Sequence, residues 1–312
     1  MYREPIGIGL EGFPSPFPHA FLRLDMGGEV VDMAYMDVPP DGRANGETVT
    51  LLHGKNFDGG AWEPVARRLA GAGYRVVIPD QVGFGRSGKP SVDYTFRGLA
   101  GNTVALLDHL GVSRTHVVGH SMGGMLAARF ALEHPGRTDR LALVNPIGLE
   151  DYRELVPEQT TAKLFEDELA KTDQGAIREF YRGYVVRWRD AYERNVEIRC
   201  RVTLSGEYPR WAMAAALTYQ TAYHQPVVHD LGALRVPTLL VIGLEDRTAL
   251  GKEYAAPEDR DRLGNYPVLG RRAAEVIPGA RLVELPRIGH LPHLEAGDRF
   301  HRELTGFFAG RR

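Results

Sequence analysis

An α/β fold, with a mostly parallel sheet covered by helices on both faces, is what this 312-residue chain predicts. Three observations carry the prediction. Short apolar runs are continuous rather than alternating, as in strands buried on both sides. Helix-like stretches separate them, which is the rhythm of β-α-β units. One run also ends in a serine flanked by glycines where a helix pattern begins.

The runs are residues 48–53, 75–80, 115–120, 141–146, 238–243 and 281–286. Helix patterns fall at about 61–72, 97–111 and 122–134, and again at 268–277 and 298–309. The segment before residue 48, with "VVDMAYMDV", is expected to add antiparallel edge strands. The rhythm stops between about 147 and 236, where no strand pattern is found and helix patterns rich in aromatics take over. Phe180, Tyr184, Trp188 and Tyr192 recur at i+4, predicting one helix with an aromatic stripe. Trp211, Ala215, Tyr219 and Tyr223 mark a face of another, ended by Pro226. The expected organisation is a core of residues 1–146 and 237–312 with a helical insertion, 147–236, between two late strands.

Composition excludes several classes. Formal net charge is −2, with 43% hydrophobic and 25% charged residues, so no overall field steers the chain to nucleic acid or an anionic membrane. The single cysteine, Cys200, can form neither an internal disulfide nor a thiolate zinc site. The N-terminus is broken by Pro5, Pro14, Pro16 and Pro18 and makes a poor secretion signal, and no apolar run is long enough to span a bilayer. A soluble, cytoplasmic protein is expected.

Residues 119–123 read G-H-S-M-G. A chain this long has roughly a one-in-ten chance of such a match, so the string alone is cheap. Its context is not, because a strand ends at Val118 and a helix starts near Met122. A sharp strand-to-helix turn strains the serine backbone and needs small residues two positions either side, here Gly119 and Gly123. In return the Ser121 hydroxyl stands exposed above the strand end.

A serine hydroxyl needs a base to take its proton, and the base needs a carboxylate to orient it. His290 follows strand 281–286 and Asp246 follows strand 238–243, both at the C-terminal sheet rim that Ser121 occupies. Glu245, Glu150 and Asp151 compete for the acid's role and His293 for the base's. His109, His116, His134 and His301 read as solvated helix or turn positions. The oxyanion needs two donors. The Met122 N–H is one candidate, and the Lys55 N–H, in the loop "LLHGKNFDGGAW", is the other. The role of the Lys55 side chain is left open, a position in solvent being the plainer reading. His53, His120, Trp211, Tyr219 and Tyr223 are candidate pocket residues.

These residues together resemble the α/β-hydrolase superfamily: an H-G loop, G-x-S-x-G, an Asp after a late strand and a His near the end. "DQVGFGRSGKP" is similar to a loop of that family, and the helical insertion to its cap domain. The resemblance runs from about residue 30 to the end. It implies an eight-stranded core, a Ser-His-Asp triad and no cofactor. Lys55 departs from the aromatic or small residue common after the H-G pair, and the stretch after Asp246 is longer than usual there, either a second lid edge or an extended surface loop.

Two further patterns are discounted. "GFGRSG" (83–88) fits G-x-G-x-x-G, with Asp108 about twenty residues on, but no helix opens at once and Asp108 sits within a helix pattern. The arginines among aromatics at 178–201 are diluted by Glu179, Asp190, Glu193 and Glu197, so nucleic-acid binding is not expected. The leading expectation is a carboxylic-ester hydrolase acting through an acyl-enzyme on a small or medium, largely apolar molecule. Carbon–carbon cleavage of ring-fission dienone acids is an alternative. Enzymes of that kind carry Asn before the serine, where His120 stands here, and a cap arginine, for which Arg182, Arg187 and Arg210 are candidates. A ligand-binding protein on the same scaffold is a third reading. Oligomeric state is not fixed by the sequence.

Overall fold

The computed structural model describes residues 1–310. All six apolar runs are strands: β3 (Thr48–Leu52), β4 (Arg75–Pro79), β5 (Thr115–His120), β6 (Thr138–Val144), β7 (Thr238–Gly243) and β8 (Arg281–Leu285). β1 (His19–Met26) and β2 (Glu29–Val38) precede them. The eight strands form one sheet in the order β1-β2-β4-β3-β5-β6-β7-β8. The pairings β1–β2 and β2–β4 are antiparallel, and the rest are parallel.

Continuous apolar strands are explained by two cores, one on each face. Val117, Leu240 and Ile242 point into one cluster with α2 (Phe96–His109), α3 (Met122–Glu133) and α8 (Tyr266–Val276). Their neighbours Val118, Leu239 and Val241 point into the other, with α1 (Glu63–Gly71) and the C-terminal α10 (Gly297–Phe308). Successive side chains of a strand face opposite ways, so a sheet covered twice needs apolar residues at both parities. His116 belongs to this interior. It is 3% exposed and stacks on Phe308 with ring centroids 4.2 Å apart, not solvated as the sequence suggested.

Between β6 and β7 the chain forms α4 (Thr161–Ala170), α5 (Gln174–Arg182), α6 (Glu193–Val202) and α7 (Tyr208–His224). Thr160 and Asp173 cap α4 and α5 by accepting from the amides of Lys163 and Ala176. The single aromatic-striped helix expected across 178–201 is corrected to two helices. α5 stops at Arg182, and Gly183 with the β-branched pair Val185–Val186 starts an irregular stretch that lasts to residue 192. The i+4 spacing therefore does not become one face. Phe180 is half exposed, whereas Tyr184 and Tyr192 are buried.

Candidate active site

Parallel register brings the C-terminal ends of β3, β5, β6, β7 and β8 to one rim, with Leu52 opposite Gly119, His120 opposite Val144, and Gly243 opposite Leu285. Ser121 leaves β5 with φ 56° and ψ −123°, a backbone region that costs a non-glycine residue of order 1–3 kcal/mol. The turn closes because both flanking glycines are pressed against backbone. A Cβ on Gly119 would lie 2.1 Å from the Gly123 carbonyl oxygen, and one on Gly123 would lie 2.3 Å from that of Leu52. Ser121 stands at the N-cap of α3, and the helix's first amide, that of Met122, follows it.

His290 and Asp246 meet. The His290 Nδ1–H donates to Asp246 Oδ2 at 2.6 Å, and both side chains are 1% exposed. Asp246 also accepts from Asn145 Nδ2 at 2.6 Å and from the Thr248 amide at 2.8 Å. Burial opposes the carboxylate's charge, but His290, Asn145 and Thr248 outweigh it and hold the carboxyl below its ordinary value. The rival acids are engaged elsewhere: Glu245 is exposed, Glu150 accepts from the Gly264 amide, and Asp151 pairs with Arg153 and His229. His293 packs on Trp62 at 4.5 Å, and burial pulls its imidazolium down to about 3, so it is a neutral core residue.

Several fixing contacts had no sequence signal of their own. Asn145, at φ 36°, uses its whole amide group: Nδ2 donates to Asp246 and to the Gly289 carbonyl, and Oδ1 accepts from the Gly243 amide. His120 Nε2 donates to the His290 carbonyl at 2.8 Å, and the two rings lie 4.7 Å apart, which ties the residue before the serine to the histidine loop. The His290 amide donates to the Tyr184 carbonyl at 2.7 Å, fastening that loop to the helical segment. A strand followed by Asn is a visible pattern at Asn145, but its partner lies 101 residues away.

The H-G loop lies against the serine. A Cβ on Gly54 would sit 2.9 Å from that of Ser121. Neither the Lys55 nor the Met122 amide N–H donates to a protein group among the described residues. The Lys55 side chain is not in solvent. It runs to α7, where Nζ donates to the Ala215 carbonyl at 2.7 Å. His53 is a brace, donating from Nδ1 to the Gly54 carbonyl and accepting at Nε2 from the Gln81 amide.

A cavity of about 340 Å³ opens over Ser121. Tyr219 lines it with Ile147, Leu164, Tyr184 and Ala215. Trp211 and Tyr223, expected at the pocket, lie elsewhere: Trp211 packs over Arg199 and Tyr208, and Tyr223 donates to the Val156 carbonyl. The long stretch after Asp246 supplies one wall, from Arg247 to Tyr254, and Tyr254 is anchored to Asp167 of α4. The 83–88 loop is closed on itself. Its amides at Gly83, Arg86, Ser87 and Gly88 are all taken by protein acceptors, and Lys89 donates to the Gly85 and Ser87 carbonyls, leaving no phosphate cradle. Among the described residues no cluster of metal-ligating side chains occurs, and no helix is long and apolar enough to cross a membrane.

The family model of the alpha/beta hydrolase fold matches residues 47–296. A 2-hydroxy-6-oxo-6-phenylhexa-2,4-dienoate hydrolase from Burkholderia cepacia is 30% identical over 284 residues, covering 85% of this chain and 88% of that protein. Among solved structures, a probable hydrolytic enzyme from Pseudomonas aeruginosa superposes with a TM-score of 0.94 at 46% identity, over 97% of each chain. An enol-lactonase from Burkholderia xenovorans shares the fold with a TM-score of 0.70 at 21% identity, covering 92% of this chain and 100% of that one.

Proposed function

The chain belongs to the α/β-hydrolase fold family, and from that premise we propose that it is a serine hydrolase cleaving carboxylic esters of small or medium, largely apolar molecules. The observation that carries this reading is the buried Asp246–His290 pair, tied to the end of β5 through His120, together with a strained Ser121 whose neighbouring amides, at Lys55 and Met122, are uncommitted. Because Nδ1 of His290 carries its proton toward Asp246, Nε2 is the basic nitrogen. It takes the Ser121 proton as Oγ attacks the ester carbonyl, and the two amides hold the resulting oxyanion. Collapse returns the proton to the leaving alcohol, and water then hydrolyses the acyl-enzyme by the same route. Residues 147–236 act as the lid, with Tyr184 and Tyr219 shaping the acyl site.

A second reading, carbon–carbon cleavage, is favoured by the name of the Burkholderia cepacia relative. One feature weighs against it. His120 commits its imidazole to the His290 loop where such enzymes present an Asn. The candidate cap arginines Arg182, Arg187 and Arg210 do not line the Ser121 cavity, although Lys55, Lys171, Arg247 and Lys252 do. Turnover of p-nitrophenyl butyrate against 2-hydroxy-6-oxo-6-phenylhexa-2,4-dienoate separates the two. Ester hydrolysis is expected to dominate and to fall at least about 10³-fold in Ser121→Ala. Equal ester hydrolysis by the variant would remove Ser121 from the mechanism, and preferred turnover of the dienoate would replace the ester assignment.

A further inference from the structure

The Ser121 cavity carries a charge imbalance that the chemistry above does not use. Lys55, Lys171, Arg247 and Lys252 line it against two carboxylates, Glu168 and Glu253. Glu168 is already taken up by Lys171 at 3.3 Å and by Arg199, which approaches from α6. The excess is sharpest at Lys55. Its ammonium donates to two neutral oxygens, the Ala215 carbonyl at 2.7 Å and Thr218 Oγ1 at 3.4 Å, and pairs with no carboxylate among the described residues. An ammonium has three donors, so one is left without a protein acceptor among the described residues. A cation out of bulk water without a counter-ion is costly, and a site that keeps one is suited to an anion brought by the ligand.

We propose that Lys55 is a specificity residue that holds a carboxylate on the acyl part of the substrate, making monoesters of short dicarboxylic acids the preferred class. The proposal rests on the serine-hydrolase reading and amends its substrate class, to an otherwise apolar acyl chain that ends in one carboxylate. One residue spans the site: its amide lies beside Gly54, against the serine, and its ammonium lies under α7, where Ala215 also lines the cavity. The lysine stem therefore sets the separation between oxyanion and carboxylate. Burial pulls the ammonium down to about 8. Glu168 and Glu253 oppose that shift, while Lys171 and Arg199 add to it.

The test compares monoethyl glutarate with ethyl valerate, a neutral ester of similar length, by proton release near neutral pH. The proteins are wild type, Lys55→Met and Lys55→Arg. In wild type kcat/KM should favour the glutarate by about 10- to 100-fold, the range of a charge-assisted hydrogen bond. The preference should collapse in Lys55→Met, survive largely in Lys55→Arg, and fade in wild type as pH rises through about 8 and the ammonium loses its charge. Because the readout is a ratio within each protein, general loss of activity or of folded material cancels. Equal efficiencies in wild type, or a preference that persists in Lys55→Met, would overturn the Lys55 assignment and leave the serine hydrolase standing. Failure of both esters would also overturn it, and fluorophosphonate labelling of Ser121 would then report whether the serine reading survives.

Discussion

Asn145 is the residue that does most to fix Asp246, the acid of the proposed triad. Its side chain holds the Asp246 carboxylate, the carbonyl of Gly289 just before His290, and the amide at the end of β7. It does so from φ 36°, a conformation that Asn tolerates better than most residues. Asn145→Ala removes all three bonds, leaves the Gly243 amide buried and unsatisfied, and places Ala in an unfavourable backbone region. The expected cost is about 1–3 kcal/mol of stability by chemical denaturation. A fall of about 10²-fold in kcat on p-nitrophenyl butyrate should accompany it, because a misplaced carboxylate no longer sets the imidazole. A variant that loses stability but keeps kcat would show that Asp246 is positioned without it.

At the scale of elements, the β5–α3 turn decides whether Ser121, the proposed nucleophile, is presented at all. Gly123 lets α3 cross the end of β3 at backbone contact, with the Leu52 and His53 carbonyl oxygens 2.3 and 2.5 Å from where a Cβ would be. Carbonyls in a sheet cannot retreat, so Gly123→Ala should cost about 3 kcal/mol or more and lower the melting temperature measurably. An unchanged melting temperature would mean that the turn has slack. This turn was legible in the sequence because its chemistry is local: a β-branched run, two glycines and a helix pattern within a few residues. The strands were legible for the same reason, and the Ser, Asp, His order followed from strand ends. What stayed hidden depends on distant partners. Asn145 gives no sign of Asp246, and Lys55 none of α7. The i+4 aromatics from 180 to 192 read as one face because spacing alone does not register the break after Arg182.

Over the whole molecule, the helical segment shares one apolar core with the sheet, Leu164, Ala216, Tyr219 and Tyr223 clustering with Val117, Leu143 and Leu240, and polar ties add to it. Arg194 of α6 makes a two-pronged ion pair with Asp58 in the loop after β3, at 2.8 Å for each bond, and the carboxylate is 8% exposed. Burial works against the Asp58 charge, but Arg194 overcomes it and keeps the carboxyl below its ordinary value. Arg194→Met alone should cost about 3–5 kcal/mol, because it strands a buried charge, and adding Asp58→Asn should recover part of that loss. Strictly additive losses would mean that the two side chains do not depend on each other. The lid, the cavity and the Lys55 contact all presuppose that one serine is activated at the rim of the sheet. The most direct measurement is covalent labelling by a fluorophosphonate, mapped by peptide mass spectrometry in wild type and His290→Ala. The expected result is a single adduct on Ser121, formed at least about 10³-fold more slowly in the variant. An adduct on another residue, or one on Ser121 that forms equally fast without the imidazole, would contradict the account.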